Sequence, residues 1–506
     1  MNKPWASLFE GGLAEVEEFN GPVHLLLEEA AEKRPGECAV LQLESGVCVT
    51  WGQLLSTSSR VAGLLRELGV RKGDQVLFAS FNRVESVEGL LGIWMSGATA
   101  VLVDPLTISE DLLGQLEGRG IRVGVTSLQF YERESQTLAK AGLEDVLVVD
   151  SVPKDFTVKV HTMTEVARSD KVTGDDVDGG SRSVIMYYAG IAGRTMQVYH
   201  THAALATAVK ALAESMKLSF RPISIVVAPI THVLGLQVSL LTPLYLGGAA
   251  IMMQRWDEVA ALNAIKEYGV NFISGAPNMH DSLVEAAEKM GAPSGVRLGL
   301  SGGAPLRPET QDRFYKAFGA PLVQFYGMTE SWVLTLQPLK VWDVKGTVGA
   351  PISDVDIKIV DPNDPDSEKG PGEVGELLAK APWLMESYED PEDTKRAFHN
   401  GWLRTGDLMT VDERGLLFFK GVRKRMIKYK AYPIFPRDLE LLLKRHESVQ
   451  DAYVYGEPDP AVGERPVAKV VLKPGAKIGE QDLLQFVNSR VAFYKKLHKI
   501  YFVESI

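Results

Sequence analysis

Short apolar runs alternate with longer amphipathic segments along most of the chain. Buried strands are indicated by the runs DQVLFAS, TAVLVDP, SIVVAPI and VNFISGA, whereas a helix is indicated by RVESVEGLLGIWMSGA. An alternation of strands and helices is typical of parallel sheets that are flanked by helices. No fixed period repeats along the sequence. We therefore predict an α/β fold for most of the chain.

The pattern changes after Lys380, where strands are joined by short turns. The turn DERG between LMTV and LLFF predicts a β-hairpin, and FPRDLELLLKRH predicts a helix with a proline near its first turn. The strands DAYVYG and AKVVLK and the helix GEQDLLQFVNSRVAF then indicate a small α+β unit. With a boundary near Gly421, we predict a large N-terminal domain at residues 1–420 and a small C-terminal domain at residues 421–506.

The most apolar segment, residues 234–253, has nearly the length of a membrane span. It also contains Gln237, Ser239, Thr242, Pro243 and a Gly-Gly pair, so it predicts a buried helix that is followed by a core strand. The first residues of the chain are acidic and interrupted by glycine, unlike a basic and apolar leader, so we expect no secretion.

Charge and cysteine content narrow the possible functions. The chain of 506 residues carries 54 Lys+Arg and 65 Asp+Glu, a formal net charge of −11, which argues against general binding to nucleic acid or to a membrane surface. Its cysteines are Cys38 and Cys48, so we expect neither a disulfide framework nor a thiolate metal cluster, and a reducing cytoplasm fits. His200, His202 and His232 lack carboxylates at metal-ligand spacing and predict no metal site.

Several short motifs carry groups that are suited to binding a nucleotide and an acyl group. Glycines in SGGAPL, residues 301–306, permit close approach of the backbone to a ligand, and Asp407 in TGDL can accept two ribose hydroxyls. YGMTE, residues 326–330, offers a hydroxyl and a carboxylate, whose oxygen suits Mg²⁺. His232 stands in PITHVLGL beside an apolar run. Each motif alone also fits a plain turn, a helix cap or a structural histidine.

Together and in this order, the motifs resemble the adenylate-forming superfamily, which includes acyl-CoA synthetases, firefly luciferase and the adenylation domains of peptide synthetases. The resemblance runs from VTWGQLL near residue 50 to the final strand. It implies a large N-terminal domain and a small mobile C-terminal domain, which rotates between activating a carboxylate with ATP and passing the acyl group to a thiol. The segment RKRMIKYKAYPIFPRDLE resembles the hinge and the active-site segment of that small domain, with a solvated basic face as the alternative.

The resemblance implies a nucleotide site and a metal ligand. Tyr326 is expected against adenine and Thr329 on the α-phosphate. Asp407 is expected on the ribose, and Glu330 on Mg²⁺. The expected nucleotide-binding set is Gly302, Gly303, Ala304, Gln324, Tyr326, Gly327, Thr329, Asp407 and Arg423.

The resemblance also implies residues for catalysis and for binding the acyl group and CoA. His232, Lys428 and Thr329 are the expected catalytic residues. His232 is placed between the acyl pocket and the thiol entrance, and Lys428 reaches the adenylate phosphate. Lys424 falls on the hinge. The expected CoA tunnel contains Tyr429, Lys430 and Ala431. The expected acyl pocket, which favours a hydrophobic or cyclic acid, contains Val233, Gly235, Gly275, Ala276, Gly303, Met328 and Trp332.

The sequence departs from the family pattern where ATP would be activated. The family's loop pattern is Tyr-Thr-Ser-Gly-Thr-Thr-Gly-x-Pro-Lys-Gly, and the positions of its hydroxyls and lysine hold Tyr188, Ala189, Ile191, Ala192 and Met196. In the family these groups serve the β- and γ-phosphates, and charge-assisted hydrogen bonds contribute about 1.5–3 kcal/mol each. The sequence stops at Ile506, just before the lysine that the family uses in adenylation, so either the protein ends there or it has been shortened. Val422 stands where the family usually has an arginine beside the hinge, which affects the expected contacts with the nucleotide. Ala431 stands where the family usually has a glycine, which affects the expected width of the CoA tunnel.

Both main departures affect ATP activation and spare the groups that would hold AMP and an acyl group. We therefore predict an acyl-CoA ligase-like enzyme with lost or weak adenylation, which transfers the acyl group of a supplied acyl-AMP to CoA and releases AMP. A separate adenylating enzyme would supply the acyl-adenylate, as in specialised natural-product pathways, and the need for Mg²⁺ stays open. The alternatives are an ordinary ATP-dependent carboxylate–CoA ligase shortened at its C-terminus and a non-catalytic protein that binds nucleotide or acyl-adenylate.

Overall fold

The computed structural model describes residues 3–13, 15–154, 156–188, 195–422, 427–430, 432–434 and 436–504. The strands, in chain order, are β1 (Cys38–Gln42), β2 (Cys48–Thr50), β3 (Gln75–Ala79), β4 (Thr99–Leu102), β5 (Val123–Thr126), β6 (Asp145–Val148), β7 (Lys159–Thr162), β8 (Arg182–Tyr188), β9 (Met196–Thr201), β10 (Ile223–Val226), β11 (Ala249–Met252), β12 (Phe272–Gly275), β13 (Leu298–Ser301), β14 (Leu322–Met328), β15 (Trp332–Leu336), β16 (Ala350–Pro351), β17 (Asp356–Asp361), β18 (Asp364–Glu368), β19 (Gly375–Lys380), β20 (Ser387–Tyr388), β21 (Phe398–His399), β22 (Trp402–Val411), β23 (Leu417–Val422), β24 (Ile427–Tyr429), β25 (Tyr432–Ile434), β26 (Val449–Asp459), β27 (Gly463–Leu472) and β28 (Lys499–Phe502).

The α-helices are α1 (Glu28–Lys33), α2 (Trp51–Glu67), α3 (Val84–Ser96), α4 (Ser109–Leu116), α5 (Leu128–Lys140), α6 (Met163–Val166), α7 (His202–Met216), α8 (Thr242–Tyr245), α9 (Glu258–Tyr268), α10 (Pro277–Met290), α11 (Pro308–Phe318), α12 (Pro391–Ala397), α13 (Pro436–Lys444) and α14 (Glu480–Asn488). Short 3₁₀ helices lie at Pro4–Leu8, Val23–Leu27, Leu339–Val341 and Phe493–Lys495, and a π-helix lies at Leu234–Leu241.

Two sheets with parallel centres form the bulk of the N-terminal domain. The strand order is β16-β15-β14-β13-β12-β10-β11-β1-β2 in the first sheet and β20-β9-β8-β4-β3-β5-β6-β7 in the second. Strands such as β4 and β12 are buried at every position, because helices cover both faces of a parallel sheet. The predicted segments correspond to β3, β4, β10, β12 and α3, so the apolar runs mark the strands correctly.

A third, antiparallel sheet completes the N-terminal domain. Its strand order is β18-β17-β19-β22-β21, and β23 pairs with β22. β22 and β23 form the hairpin predicted around the DERG turn, with Val411 opposite Leu417. The expected domain boundary at Gly421 falls within β23.

The C-terminal unit, residues 427–504, has a sheet and an apolar core of its own. Its strand order is β25-β24-β27-β26, with β28 parallel to β27. The core includes Ile427 of β24, Leu439 of α13, Val454 of β26 and Val487 of α14. A large sheet-rich domain followed by a small α+β domain is the architecture that the sequence predicts. α14 ends at Asn488, earlier than the predicted helical segment.

Helices α2 and α3 pack closely through a glycine. A Cβ atom built on Gly92 of α3 would lie 2.4 Å from Val61 Cγ1 and 2.9 Å from the Ser58 carbonyl oxygen, both on α2. α2 begins with a capping box in which Thr50 and Gln53 bond each other's backbone N–H groups. The missing side chain at Gly92 therefore sets the distance between these helices.

The apolar segment of residues 234–253 forms the π-helix, α8 and β11 inside the N-terminal domain. The Gln237 side chain donates to the Ala208 carbonyl oxygen at 2.9 Å and accepts from the Val333 N–H at 3.0 Å. Such partners are needed because a buried amide without hydrogen bonds is costly. The predicted buried helix and core strand are confirmed. Within the described residues, no helix has both the length and the apolar character needed to cross a membrane.

Cys38 and Cys48 form a disulfide bond, which the sequence analysis, expecting no disulfide framework, did not predict. They lie on the antiparallel strands β1 and β2, with their Cα atoms 5.9 Å apart. The register shift between Cys38 and Val40 brings the two side chains together. The pairing depends on the geometry of this hairpin, which the spacing of ten positions does not reveal.

Candidate active site

The candidate site lies where three neighbouring parallel strands end. β12, β13 and β14 pair in parallel, and their carboxyl ends carry Gly275, Ser301 and Tyr326. Ligands commonly bind at the carboxyl ends of strands in open α/β sheets. β14 then pairs antiparallel with β15, with a register shift between Tyr326 and Gly327. This topology brings the SGGAPL and YGMTE motifs side by side.

Tyr326 and Asp407 are joined directly although 81 positions separate them. The Tyr326 hydroxyl donates to Asp407 Oδ2 at 2.7 Å. Nearby, the Gln324 amide donates to the Ala304 carbonyl oxygen at 3.1 Å, which fixes the glycine-containing turn against β14. The structure therefore brings together residues expected to contact adenine and ribose, whose roles stay predictions.

The C-terminal unit reaches this site through Lys428 of β24. Its Nζ donates to the Gly303 carbonyl oxygen at 3.4 Å and lies 5.6 Å from the centre of the Phe419 ring. Its backbone N–H donates to Glu464 Oε2 at 2.9 Å. Burial lowers the pKa of Lys428, and the charges of Asp407 and Glu464 oppose that shift. A cationic side chain thus stands beside the expected nucleotide residues.

His200 connects the YGMTE turn to Trp332, a role that the sequence analysis missed. Its Nε2 lies 2.7 Å from the Thr329 carbonyl oxygen, and its Nδ1 lies 3.0 Å from the Trp332 indole nitrogen. Burial lowers the pKa of His200 to about 4, so the ring is neutral near pH 7. One tautomer satisfies both contacts: Nε2–H donates to the carbonyl, and Nδ1 accepts from the indole.

Trp332 is fully buried and adopts a positive φ of 54°. Because its indole N–H donates to His200, that N–H is not available to an acyl group in the predicted pocket. The available sequence signal for this contact was the position of His200 in YHTH, next to the unusual loop. That signal gave no indication of the partner.

Glu330 faces the protein interior. It is 0% exposed, the Tyr388 hydroxyl donates to its Oε1 at 2.5 Å, and its carbonyl oxygen accepts from the Met385 N–H at 2.8 Å. Mg²⁺ usually keeps several waters when it binds a carboxylate, and an enclosed carboxylate of this kind does not fit a hydrated ion. Magnesium binding by Glu330 stays a prediction, and we route no chemical step through it.

His232 is paired with Asp104, whose charge also acts on a residue of the C-terminal unit. Its Nε2 is 2.9 Å from Asp104 Oδ2, with the imidazole 39% exposed and the carboxylate 6% exposed. Burial raises the pKa of Tyr432 in the C-terminal unit to about 12, and the charge of Asp104 adds to that shift. The Tyr432 ring stacks on Tyr494 at 4.5 Å. This position is compatible with the predicted place at a thiol entrance.

Predicted acyl-pocket positions are packed more tightly than expected. A Cβ on Gly235 would lie 2.1 Å from the Pro229 carbonyl oxygen, so backbone packing itself requires this glycine. A Cβ on Gly275 would lie 3.0 Å from Met279 Cε, so Met279, which the sequence analysis missed, occupies the space beside Gly275. The remaining predicted pocket side chains are buried or half-buried: Val233, Ala276, Met328 and Trp332.

Two predicted tunnel residues follow Lys428. The Tyr429 ring lies 5.4 Å from the His498 ring, and Lys430 adopts a φ of 49° and donates its N–H to the Val462 carbonyl oxygen at 2.7 Å. Their contact with CoA stays a prediction. The predicted residues outside the described part of the chain are Arg423, Lys424, Ala431 and Ile506, together with loop positions 189–194.

Met196 occupies the position of the expected loop lysine. Its side chain is 4% exposed and belongs to an apolar cluster that includes Met328, Met385 and Tyr388. An ammonium group at this place would lose its hydration without gaining a carboxylate from the cluster. Relative to the family's lysine, Met196 therefore removes a positive charge and also lies in an apolar environment.

Comparisons with known proteins match both parts of the chain. The AMP-binding enzyme family matches residues 27–389, and the AMP-binding enzyme C-terminal domain matches residues 438–506. The 4-coumarate–CoA ligase 3 of Oryza sativa subsp. japonica is 31% identical over 482 residues, which cover 92% of this chain and 85% of the relative. The peroxisomal OPC-8:0-CoA ligase 1 of Arabidopsis thaliana is 28% identical over 493 residues, with 94% and 89% covered.

Solved structures of ligases and an amide bond synthetase also match nearly the whole chain. A double mutant of the o-succinylbenzoate CoA synthetase of Bacillus subtilis, bound to its product analogue OSB-NCoA, matches with a TM-score of 0.82 and 25% identity over 96% of both chains. The amide bond synthetase McbA of Marinactinospora thermotolerans matches with a TM-score of 0.81 and 25% identity, again over 96% of both chains.

Proposed function

Because the chain belongs to the AMP-binding enzyme family and is related to acyl-CoA ligases over most of its length, we propose that it joins an acyl group to CoA. In our proposal the acyl group is taken from an acyl-AMP, and the chain's own adenylating half-reaction is weak or lost. A separate adenylating enzyme then supplies the acyl-AMP, in the cytoplasm.

The observation that carries this proposal is the environment of Met196. A triphosphate carries several negative charges, and binding it calls for cations and hydrogen-bond donors. At the position expected for a lysine, the chain buries a thioether against Met328 and Met385. This arrangement supports a nucleotide site that accommodates AMP without a pyrophosphate.

The chain retains more of the residues expected for thiol transfer than of those expected for ATP activation. Transfer requires the thiolate sulfur of CoA to attack the acyl carbonyl carbon, after which the bond to the phosphate oxygen breaks and AMP leaves with the electron pair. Tyr326 and Asp407, which we propose hold the nucleoside, are hydrogen-bonded to each other, and Lys428 lies at Gly303. A positive charge at the leaving phosphate stabilises the charge that develops there. The likeness to a ligase structure that holds a CoA product analogue supports this assignment.

The acyl group that we propose is hydrophobic and aromatic or cyclic. The predicted pocket is apolar, Met279 shortens it beside Gly275, and the Trp332 indole N–H is already bonded to His200. A buried polar group on the acyl chain would therefore find few partners, which disfavours it. The relatives named as 4-coumarate–CoA ligases support an aromatic acid.

Two parallel assays test the proposal. One supplies 4-coumaroyl-AMP and CoA, and the other supplies 4-coumarate, ATP, Mg²⁺ and CoA, with thioester formation followed by chromatography. We expect the acyl-AMP reaction to be faster by at least about 10²-fold, since the loss of one preorganised transition-state donor already costs about 10²–10³ in rate. Comparable rates in the two assays would falsify the loss of adenylation.

Comparable rates would instead favour an ordinary ATP-dependent carboxylate–CoA ligase, the second candidate, which the names of the relatives favour. Tight binding of 4-coumaroyl-AMP with no thioester product at any enzyme concentration would favour a non-catalytic binding protein. A panel of benzoic, phenylpropenoic and medium-chain acyl-AMPs separates this result from a wrong choice of acyl group.

A further inference from the structure

A buried ion cluster, separate from the Lys428–Gly303 contact, joins the C-terminal unit to the N-terminal domain. Lys495, which is 5% exposed, places its Nζ 2.7 Å from Asp111 Oδ2 and 3.8 Å from Asp438 Oδ2. Asp111 belongs to α4 of the N-terminal domain, whereas Asp438 and Lys495 belong to the C-terminal unit. The cation is thus shared between carboxylates from both sides of the contact.

Thr195 adds two hydrogen bonds to the same cluster. Its backbone N–H donates to Asp438 Oδ1 at 3.0 Å, and its hydroxyl donates to Asp438 Oδ2. Thr195 stands where the family pattern of the phosphate loop has a proline. Proline has neither a backbone N–H nor a hydroxyl, so neither bond could form with the family's residue. This departure from the pattern therefore creates contacts that proline would exclude.

The charges of the cluster are mutually dependent. Burial alone would lower the pKa of Lys495, but Asp111 and Asp438 outweigh it and the pKa is raised. Burial raises the pKa of Asp438, and Lys495 and Thr195 oppose that shift. Charge-assisted hydrogen bonds between groups that are largely removed from water are stronger than exposed ion pairs. The cluster is therefore suited to holding two parts of the chain together.

Asp438 and Lys428 belong to elements that share one apolar core. α13, which carries Asp438, and β24, which carries Lys428, share the core formed around Ile427, Ile434 and Leu439. A rigid-body rotation of the C-terminal unit that separates Asp438 from Thr195 would therefore also displace Lys428 relative to Gly303, unless its axis passes through Lys428. The position of the active-site lysine is thereby linked to a contact elsewhere on the interface.

We propose that Thr195, Asp438 and Lys495 form a latch that holds the C-terminal unit in the orientation for thiol transfer. Asp111, which is paired with Lys495, is the fourth residue of this latch. Asp438 acts as a positioning residue for Lys428, and the end of the former phosphate loop has become a docking point. This inference rests on the proposed thiol-transfer function and gives Thr195, Asp438 and Lys495 a role that the sequence analysis did not assign to them.

The test compares four variants by two readouts. Thr195→Pro restores the family's residue, Asp438→Asn keeps the shape of the carboxylate, Thr195→Ser keeps both donors, and Asp482→Asn is a control on an exposed face of α14. The first readout is the kcat of thioester formation from 4-coumaroyl-AMP and CoA. The second is the energy-transfer distance between dyes on Lys289→Cys and Lys477→Cys, one exposed position on each side, while the native cysteines stay in their disulfide.

We expect kcat to fall at least about tenfold in T195P and D438N, because two charge-assisted hydrogen bonds are lost or weakened. In the same variants the distance distribution should broaden or shift, with little change in Tm. T195S and D482N should match the unmodified protein in both readouts. If D438N folds poorly, T195P still tests the latch from the other side of the interface.

The two readouts separate failure of the latch from failure of the proposed function. Identical distance distributions and rates in T195P and T195S would overturn the latch while leaving thiol transfer intact. A shifted distribution in T195P and D438N, with no thioester from any variant or from the unmodified protein, would retain the latch and reject the proposed function.

Discussion

At the scale of single residues, some contacts follow from the motifs and others do not. The Tyr326–Asp407 and Lys428–Gly303 contacts join residues that the family pattern had already put in one site. The contacts of His200 with Thr329 were not predictable, because a histidine in a strand gives no sign of a partner more than a hundred positions away. The pattern predicted residue types, whereas the added contacts depend on how distant strands meet.

Met196 allows a direct test of how the loop position has changed. Met196→Lys should lower the free energy of unfolding by at least about 2 kcal/mol, because an ammonium would be buried in the apolar cluster around Met328 and Met385. It should also leave ATP-driven thioester formation no faster than in the unmodified protein, since Ala189, Ile191 and Ala192 still lack hydroxyls. Met196→Leu, a similar volume, should cost less than about 1.5 kcal/mol. Urea unfolding and the ATP assay check both points, and unchanged stability with new ATP turnover would contradict them.

At the scale of secondary structure, long apolar runs were predictable and short or irregular elements were not. The runs that became β3, β4, β10 and β12 are each continuous enough to mark a strand. Two-residue strands such as β16 have no period to detect, and the i→i+5 hydrogen bonds of the π-helix are not marked by the apolar pattern of its eight residues. Tertiary packing decides these elements.

Glycines in two helices predict opposite effects of the same substitution. Gly92→Ala should destabilise the protein by about 1–3 kcal/mol, because the added methyl would meet Val61 and the backbone of α2. Gly114→Ala, within α4, should stabilise it by about 0.4–1 kcal/mol, because nothing lies within 4 Å of the added atom and alanine favours the helix. Thermal unfolding of both variants checks the signs. A stabilising G92A would show that α2 and α3 can separate without cost.

At the scale of the whole molecule, the fold class and the two-part architecture were predictable, and the disulfide was not. Alternating strands and helices specify the sheets, and the change after Lys380 marks the antiparallel part. The Cys38–Cys48 bond depends on the register of β1 and β2, which sequence spacing does not determine. Arrangements that depend on register or on interfaces therefore came from the structure alone.

Buried histidines predict that the protein loses stability in mild acid. Burial lowers the pKa of His24, His200 and His280 to about 4 and that of His202 to about 3. Above pH 6.5 these rings are neutral whether the chain is folded or unfolded. As the pH falls from 6.5 towards 4, these histidines bind protons in the unfolded chain but stay neutral in the folded chain, so the free energy of unfolding decreases. Between pH 7.5 and pH 5 each histidine removes about 2 kcal/mol, because the pH falls about 1.5 units below the pKa of an unfolded histidine.

Glu88 acts in the opposite direction. Burial raises its pKa to about 8, so between pH 8 and 4.5 the folded chain holds a proton that the unfolded chain releases. Four histidines outweigh this one carboxyl group, and we expect the urea midpoint to be lower at pH 5 than at pH 7.5. His280→Asn should reduce the drop, whereas His399→Asn, near the surface, should keep it. A midpoint that is equal or higher at pH 5 would refute the prediction.

The two contacts of His200 have a practical consequence for redesigning acyl selectivity. Trp332 is an obvious residue to shrink when a larger acid is to be accommodated, but its removal leaves His200 Nδ1 buried without a donor. The same ring is hydrogen-bonded to the Thr329 carbonyl oxygen, so the damage extends to the YGMTE turn. Met279, which stands beside Gly275 and outside this chain of contacts, is the safer position at which to enlarge the pocket.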